Sequence, residues 1–246
     1  MDALIVLDNV AKRFDGHAVL DGLSLEIRPG ETMTIIGGSG TGKSVTLKLI
    51  LGLMRPDRGR IYFRGSDVTR MTEGSLVAMR REMGMLFQGG ALFDSLTVGE
   101  NIAYPLREHF REMTDGEREG RVASSLSLVG LPETEAMMPA DLSGGMKKRV
   151  ALARAIATNP AVILYDEPTT GLDPANCQRI NRLIRECQRK LRVTSVIVTH
   201  DLESAFLVTD RIALLYNRRI EFVGTVAEAK ASANAVVGNF IEGNLE

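Results

Sequence analysis

Residues 37–44 read GGSGTGKS, and this stretch narrows the possible folds more than any other in the chain. It matches G-x-x-x-x-G-K-[ST] through Gly37, Gly42, Lys43 and Ser44, the pattern of a loop that cradles phosphates with backbone N–H groups. Gly38, Ser39, Gly40 and Thr41 fill the bend and Val45 follows it. Glycine is needed where the main chain turns tightly onto a phosphate and a Cβ would clash. Such a loop has to lie between a strand and a helix. TMTII at 32–36 supplies a short buried strand, and from Ser44 to Met54 the apolar residues Val45, Leu47, Leu49, Ile50 and Leu53 fall at helical spacing. Lys43 is then expected to reach the β- and γ-phosphates of a nucleotide, and the Ser44 hydroxyl to bind Mg²⁺.

The strand leading into the loop belongs to a longer pattern. ALIVLDNV at 3–10 and LSLEI at 23–27 read as strands, the second followed by a Pro29-Gly30 turn, and IYFRG at 61–65 and MGMLFQ at 83–88 as two more. From about 90 to 158 only helical pieces follow, roughly 97–110, 115–129 and 143–158, with Pro105 expected to kink or interrupt the first. After Pro160 the strands return as AVILYD, SVIVTH and RIALLY, separated by helical stretches at 174–191 and 201–208. Strand, helix and strand at these lengths predict an α/β fold with a parallel sheet and right-handed crossovers. Residues 225–242 read as two short helices.

Residues able to do chemistry gather at the strand ends. VILYDE at 162–167 is an apolar strand ending in two carboxylates. Asp166 is placed to complete a Mg²⁺ shell, and Glu167, one residue further, to act as general base on an attacking water. His200 ends SVIVTH and should emerge at the same sheet edge, where open α/β folds bind ligands; there it would contact the γ-phosphate and orient the water. Gln88 closes MGMLFQ, within reach of metal and water. Phe14 offers a flat platform for a purine, although core packing would explain it almost as well. His17 and His109 have no such setting and read as surface residues.

LSGGM at 142–146 poses a separate question, because Ser143, Gly144 and Gly145 at a helix start make a second anion site. Unpaired N–H groups and the positive end of the helix dipole point outward together there. One loop already wraps one triphosphate. The second site is left with an unrelated anion or with the exposed γ-phosphate of a nucleotide held by another copy of the chain. The latter makes hydrolysis depend on dimerisation, and it gives Asp173, in GLDP at 171–174, a reason to cross the interface. The KKR that follows at 147–149 reads as a solvated helix face.

Taken in order, Phe14, the loop at 37–44, Gln88, LSGGM, VILYD, Glu167, Asp173 and His200 resemble the nucleotide-binding subunits of ABC transporters over nearly the whole chain. The resemblance implies an α/β P-loop NTPase fold: a RecA-like, mostly parallel sheet core with an N-terminal antiparallel β subdomain and an all-helical insert. It implies one ABC ATPase domain over 1–246. Residues 1–89 and 159–224 would form its ATP-binding core with the β subdomain, 90–158 the helical subdomain and 225–246 a helical tail. It also implies a head-to-tail dimer burying two ATP molecules, with Mg²⁺, between the 37–44 loop of one copy and the signature of the other.

LFQGGALFDSLTVGENIAYPLREH and LSGGMKKRVALARAIA are similar to the ATPases of Mla and Mce-type lipid importers. That similarity implies phospholipid transport between inner and outer membranes. It implies an integral membrane permease, an MCE-domain protein and sometimes a STAS-domain subunit as partners, and a peripheral place on the cytoplasmic face of the inner membrane. Ala91, Leu92 and Phe93 would form the groove that receives the permease, with simple core packing as the alternative. Phe14 stands where Tyr is common in the family and Met146 where many members have Gln; neither removes a group needed for hydrolysis.

Composition excludes little but does exclude something. A formal net charge of −1 gives no electrostatic reason to expect nucleic acid. MDALIVLDNVAKRF lacks the basic and long apolar segments of a secretory signal, and no stretch approaches the length needed to cross a bilayer. Cys177 and Cys187, with no paired C-x-x-C, suit reduced thiols. A soluble ABC clamp acting on DNA or ribosomes usually carries a long coiled coil between loop and signature, or two cassettes, and this chain has neither. A transporter of amino acids, ions or lipoproteins differs from a lipid transporter only through the finer resemblance.

Overall fold

The computed structural model describes residues 3–244 and builds them around two sheets. The antiparallel sheet has the order β2-β1-β4-β5, from β1 (Ile5–Phe14), β2 (His17–Ile27), β4 (Arg58–Phe63) and β5 (Ser66–Asp67). The second sheet has the order β10-β9-β3-β8-β7-β6. Its strands β3 (Thr32–Ile36), β6 (Met83–Leu86), β7 (Val162–Asp166), β8 (Thr194–Thr199) and β9 (Arg211–Tyr216) are parallel, and β10 (Arg219–Gly224) closes one edge antiparallel to β9.

Strand β7 explains why this sheet is buried on both sides. Val162 and Leu164 enter a core shared with the antiparallel sheet and α1 (Lys43–Ile50), while Ile163 and Tyr165 enter a core shared with helices, and all four are fully buried. A strand covered on both faces reads as an unbroken apolar run because alternate side chains meet different layers. The helical layer comprises α3 (Val98–His109), α4 (Asp115–Leu128), α5 (Gly144–Ile156) and α6 (Pro174–Leu191). A third apolar cluster lies where α7 (Leu202–Val208), α8 (Val226–Lys230) and α9 (Ala235–Ile241) cover β9. Among the described residues, no helix is long and apolar enough to cross a membrane.

Helix starts follow side-chain chemistry. Thr97 with Glu100, and Thr114 with Glu117, form reciprocal capping boxes at α3 and α4, each cap being worth about 1 kcal/mol. Asp173 caps α6 with Pro174 at its first position, so DP in GLDP is also a helix-start signal.

Several expectations are corrected. α3 runs through Pro105 without interruption. The proline costs about 3 kcal/mol in a helix interior, and here the buried Ile102, Ala103 and Leu106 hold the helix in place. The Asn101 amide adds bonds to the carbonyls of Phe93, Leu96 and Thr97. β2 begins at His17 rather than Leu23, and β10 and α2 (Glu73–Arg80) are additional elements. The turn between β9 and β10 places Asn217 and Arg218 at φ 45 and 69, a left-handed pair ordinarily flagged by glycine. β6 and β8 stop at Leu86 and Thr199, so Gln88 and His200 lie beyond the strand ends rather than on them.

Candidate active site

β3 delivers the chain into the 37–44 loop and α1 carries it away. Gly42 is the N-cap of α1 at φ 104, and no side chain caps that helix, which leaves its first N–H groups to a ligand. A Cβ on Gly42 would lie 2.8 Å from Leu20 Cδ2, and one on Gly37 would lie 2.5 Å from the Leu215 carbonyl oxygen. Both glycines are therefore required by packing against β2 and β9 as well as by the bend. Lys43 is buried, its Nζ donating to the carbonyls of Gly37 and Gly38 at 2.8 and 2.9 Å. Burial pushes its ammonium below the usual lysine range, and the carboxylate of Glu167, 3.7 Å away, works against that shift.

Because β3, β8, β7 and β6 are neighbours and parallel, their C-terminal ends share one edge of the sheet. That edge opens into a cleft of about 310 Å³ lined by Lys43, Ser44, Gln88, Glu167 and His200 together with Ser39, Gly40, Gly42 and Val45. Ser44 Oγ donates to Asp166 Oδ1 at 2.7 Å, joining the loop to the end of β7. Among the described residues no three His, Cys, Asp or Glu side chains cluster as a metal cage. Mg²⁺ takes one or two carboxylates and fills its shell with phosphate oxygens and water, so Ser44, Asp166 and Gln88 fit it as a donor set.

Glu167 is the most constrained residue of the cleft. It is buried and sits at φ 47, a left-handed conformation that costs about 1–3 kcal/mol outside glycine. Its Oε2 accepts from the hydroxyls of Thr199 at 3.0 Å and Thr170 at 3.2 Å, and its Oε1 lies 3.0 Å from His200 Nδ1. Thr199 and Thr170 carry no motif of their own. Lys148 also escapes a sequence reading, because the KKR is not a solvated face. Lys148 and Arg149 are buried, the first donating to the Glu167 carbonyl at 3.1 Å and the second to the carbonyls of Val129 and Gly130 at 3.3 and 3.0 Å. Long basic stems can cross apolar layers when a carbonyl receives the charged end.

The predicted second anion site lies elsewhere. Ser143 caps α5, its Oγ accepting from the Met146 N–H at 3.3 Å, and it is exposed along with Gly144. A Cβ on Gly145 would meet Asn176 Oδ1 at 2.4 Å. Asn176 is itself held by the carboxylate of Asp173, so the starts of α5 and α6 abut. Ser143, Gly144, Gly145 and Asp173 do not line the cleft. Nor does Phe14, the exposed last residue of β1, whose ring has Lys12 Nζ 5.6 Å from its centre. One chain thus joins the phosphate loop, the candidate metal ligands and the candidate base Glu167, while Ser143, Gly144 and Gly145 lie outside that cleft.

A groove of about 440 Å³ opens near the segment after Gln88. Ala91 and Phe93 line it with Phe87 and Tyr104, whereas Leu92 turns into the helical core. Phe87, Phe93 and Tyr104 are exposed apolar rings, the last two 4.8 Å apart. Arg154, near the end of α5, donates to the carbonyls of Gly90 and Ala91 at 2.9 and 2.7 Å.

Known proteins resemble this chain in sequence and fold. The family described as ABC transporter matches residues 20–170. The intermembrane phospholipid transport system ATP-binding protein MlaF of Haemophilus influenzae is 38% identical over 243 residues, covering 99% of this chain and 92% of that protein. The methionine import ATP-binding protein MetN of Rhizobium johnstonii is 39% identical over 236 residues, covering 96% of this chain and 65% of that protein. Among solved structures, a dimeric ATP-binding cassette in a post-hydrolysis state, bound to ADP and Pi, is 34% identical with a TM-score of 0.83. That match covers 90% of this chain and 98% of the other.

Proposed function

The chain belongs to the ABC transporter family and is an ATP-hydrolysing, ATP-binding subunit; from that premise we propose that it energises phospholipid transport between two membranes. The observation that carries the catalytic part is the convergence of Lys43, Glu167 and His200 in one cleft at the sheet edge. Lys43 and the free N–H groups of α1 bind the β- and γ-phosphates. Ser44, Asp166 and Gln88 would hold Mg²⁺, which when bound would neutralise charge on the phosphates. Glu167 takes the proton of the attacking water, and His200, on Oε1 of that carboxylate, keeps it oriented and meets the γ-phosphate.

Ser143, Gly144, Gly145 and Asp173 serve the cleft of a second copy in a head-to-tail dimer, and Phe14 carries the purine. The dimeric form of the cassette that resembles this chain supports that reading. The aromatic groove beside Gln88 receives a segment of an integral membrane permease. The phospholipid assignment draws support from the similarity to MlaF over almost the whole of both chains, with an MCE-domain protein and a STAS-domain subunit as further partners. On this reading the work is done at the cytoplasmic face of the inner membrane.

MetN is similar at nearly the same identity, so the cargo has to be read from the permease rather than from this subunit. Affinity purification from membranes tests the reading. Recovery of a permease with an MCE-domain protein supports it. Recovery of a permease with a solute-binding protein for amino acids or ions removes the lipid cargo, and recovery of ribosomes or DNA removes the transporter.

A further inference from the structure

α5 is capped by the exposed Ser143 and carries Lys148 inward; the two positions are about 7.5 Å apart along a helix. Lys148 is 5% exposed, and its Nζ donates to the main-chain carbonyl of Glu167. Burying an ammonium is costly, and an apolar side chain of similar length is often neutral or better at such a place. Packing therefore gives no reason for a lysine here. The bond itself does. Glu167 is in the left-handed region, and its backbone direction decides where its carboxylate points towards His200 and Lys43. The other donor to that carbonyl is the Thr170 N–H at 3.3 Å. Without Lys148 the turn survives, but its carbonyl is held only by the longer bond.

On the reading that Ser143 meets the nucleotide of a second copy, we propose that Lys148 is a positioning residue linking the two clefts of the dimer through one chain. Seating Ser143 on the partner's γ-phosphate fixes α5, and α5 through Lys148 fixes Glu167 in the chain's own cleft. Each glutamate is then aligned when the opposite nucleotide is engaged.

The test compares the full-length chain with Lys148→Met and Lys148→Gln in ATP and Mg²⁺, measuring kcat, KM, the Hill coefficient for ATP and Tm. Lys148→Met lowers kcat about tenfold, leaves KM within about twofold, and moves the Hill coefficient towards one without lowering Tm. Lys148→Gln, which returns a donor without the charge, recovers most of kcat. Wild-type kcat and Hill coefficient in Lys148→Met would overturn the proposal. So would a loss of kcat that tracks a loss of Tm and that Gln does not repair. Glu167→Gln and Ser143→Arg run alongside. If those two keep turnover, the reading of the site fails; if they lose it and Lys148→Met does not, only the link fails.

Discussion

Replacing Glu167 by Gln separates the charge of this residue from its shape. Gln is nearly isosteric, so the hydroxyls of Thr199 and Thr170 keep an oxygen to donate to and the left-handed backbone is undisturbed. What disappears is the basic carboxylate 3.0 Å from His200 Nδ1 and the negative charge 3.7 Å from Lys43 Nζ. General-base catalysis contributes about 10²–10⁴-fold, so kcat should fall by that factor, about 2.7–5.4 kcal/mol in the barrier. The second loss acts on binding. Lys43 remains buried without its carboxylate, a change that costs about 3–5 kcal/mol when a buried pair is broken, less whatever the Gly37 and Gly38 carbonyls retain. Phosphate oxygens supply the missing charge, so ATP should stabilise the variant more than it stabilises the wild type. The closed dimer should accumulate because the step that opens it is slow. Steady-state phosphate release gives the rate, and light scattering and thermal unfolding with and without ATP give the rest. Turnover within about threefold of wild type would remove Glu167 as the base, and a monomer in saturating ATP would remove the shared cleft.

The other expectations concern the second anion site and Lys43. Ser143→Arg forfeits a helix cap worth about 1 kcal/mol and should keep nucleotide binding by its own loop while turnover collapses; undiminished phosphate release would contradict the paired arrangement. Gly145→Ala forces Asn176 aside from a 2.4 Å contact. It should cost about 1–3 kcal/mol by chemical denaturation, with Asn176→Ala in the same chain recovering much of the loss. Lys43 releases its proton more readily in the folded chain than in the unfolded one. Between its lowered value and the ordinary value of about 10.4, the unfolded state holds more protons, so this group makes unfolding free energy rise with pH. Lys43→Met should lack that increment in denaturant titrations across the window, while ATP affinity of the wild type falls through it.

Much of the cleft is legible in the sequence because its members hang on chain-local signals. GGSGTGKS dictates a strand, a bend and a helix, and apolar runs ending in Asp166-Glu167 and His200 announce parallel strands whose ends meet. The residues that brace Glu167 are not legible, since Lys148 and Thr199 reach it from 19 and 32 positions away and are recognised only by where a carbonyl or carboxylate ends up. The KKR misleads for the same reason: charge alone cannot tell a solvated face from one whose ends are received inside. β10 is missed because Asn217-Arg218 makes a left-handed turn without glycine. Pro105 misleads in the opposite direction, where tertiary burial outweighs a local penalty.

The bonds from Arg154 to Gly90 and Ala91 bear on how far the groove beside them can vary. Both acceptors are peptide carbonyls, present whatever side chains occupy those positions. Changes in the rings of Phe87, Phe93 and Tyr104 can therefore reshape the groove without severing the tie from it to α5, the helix that Ser143 caps.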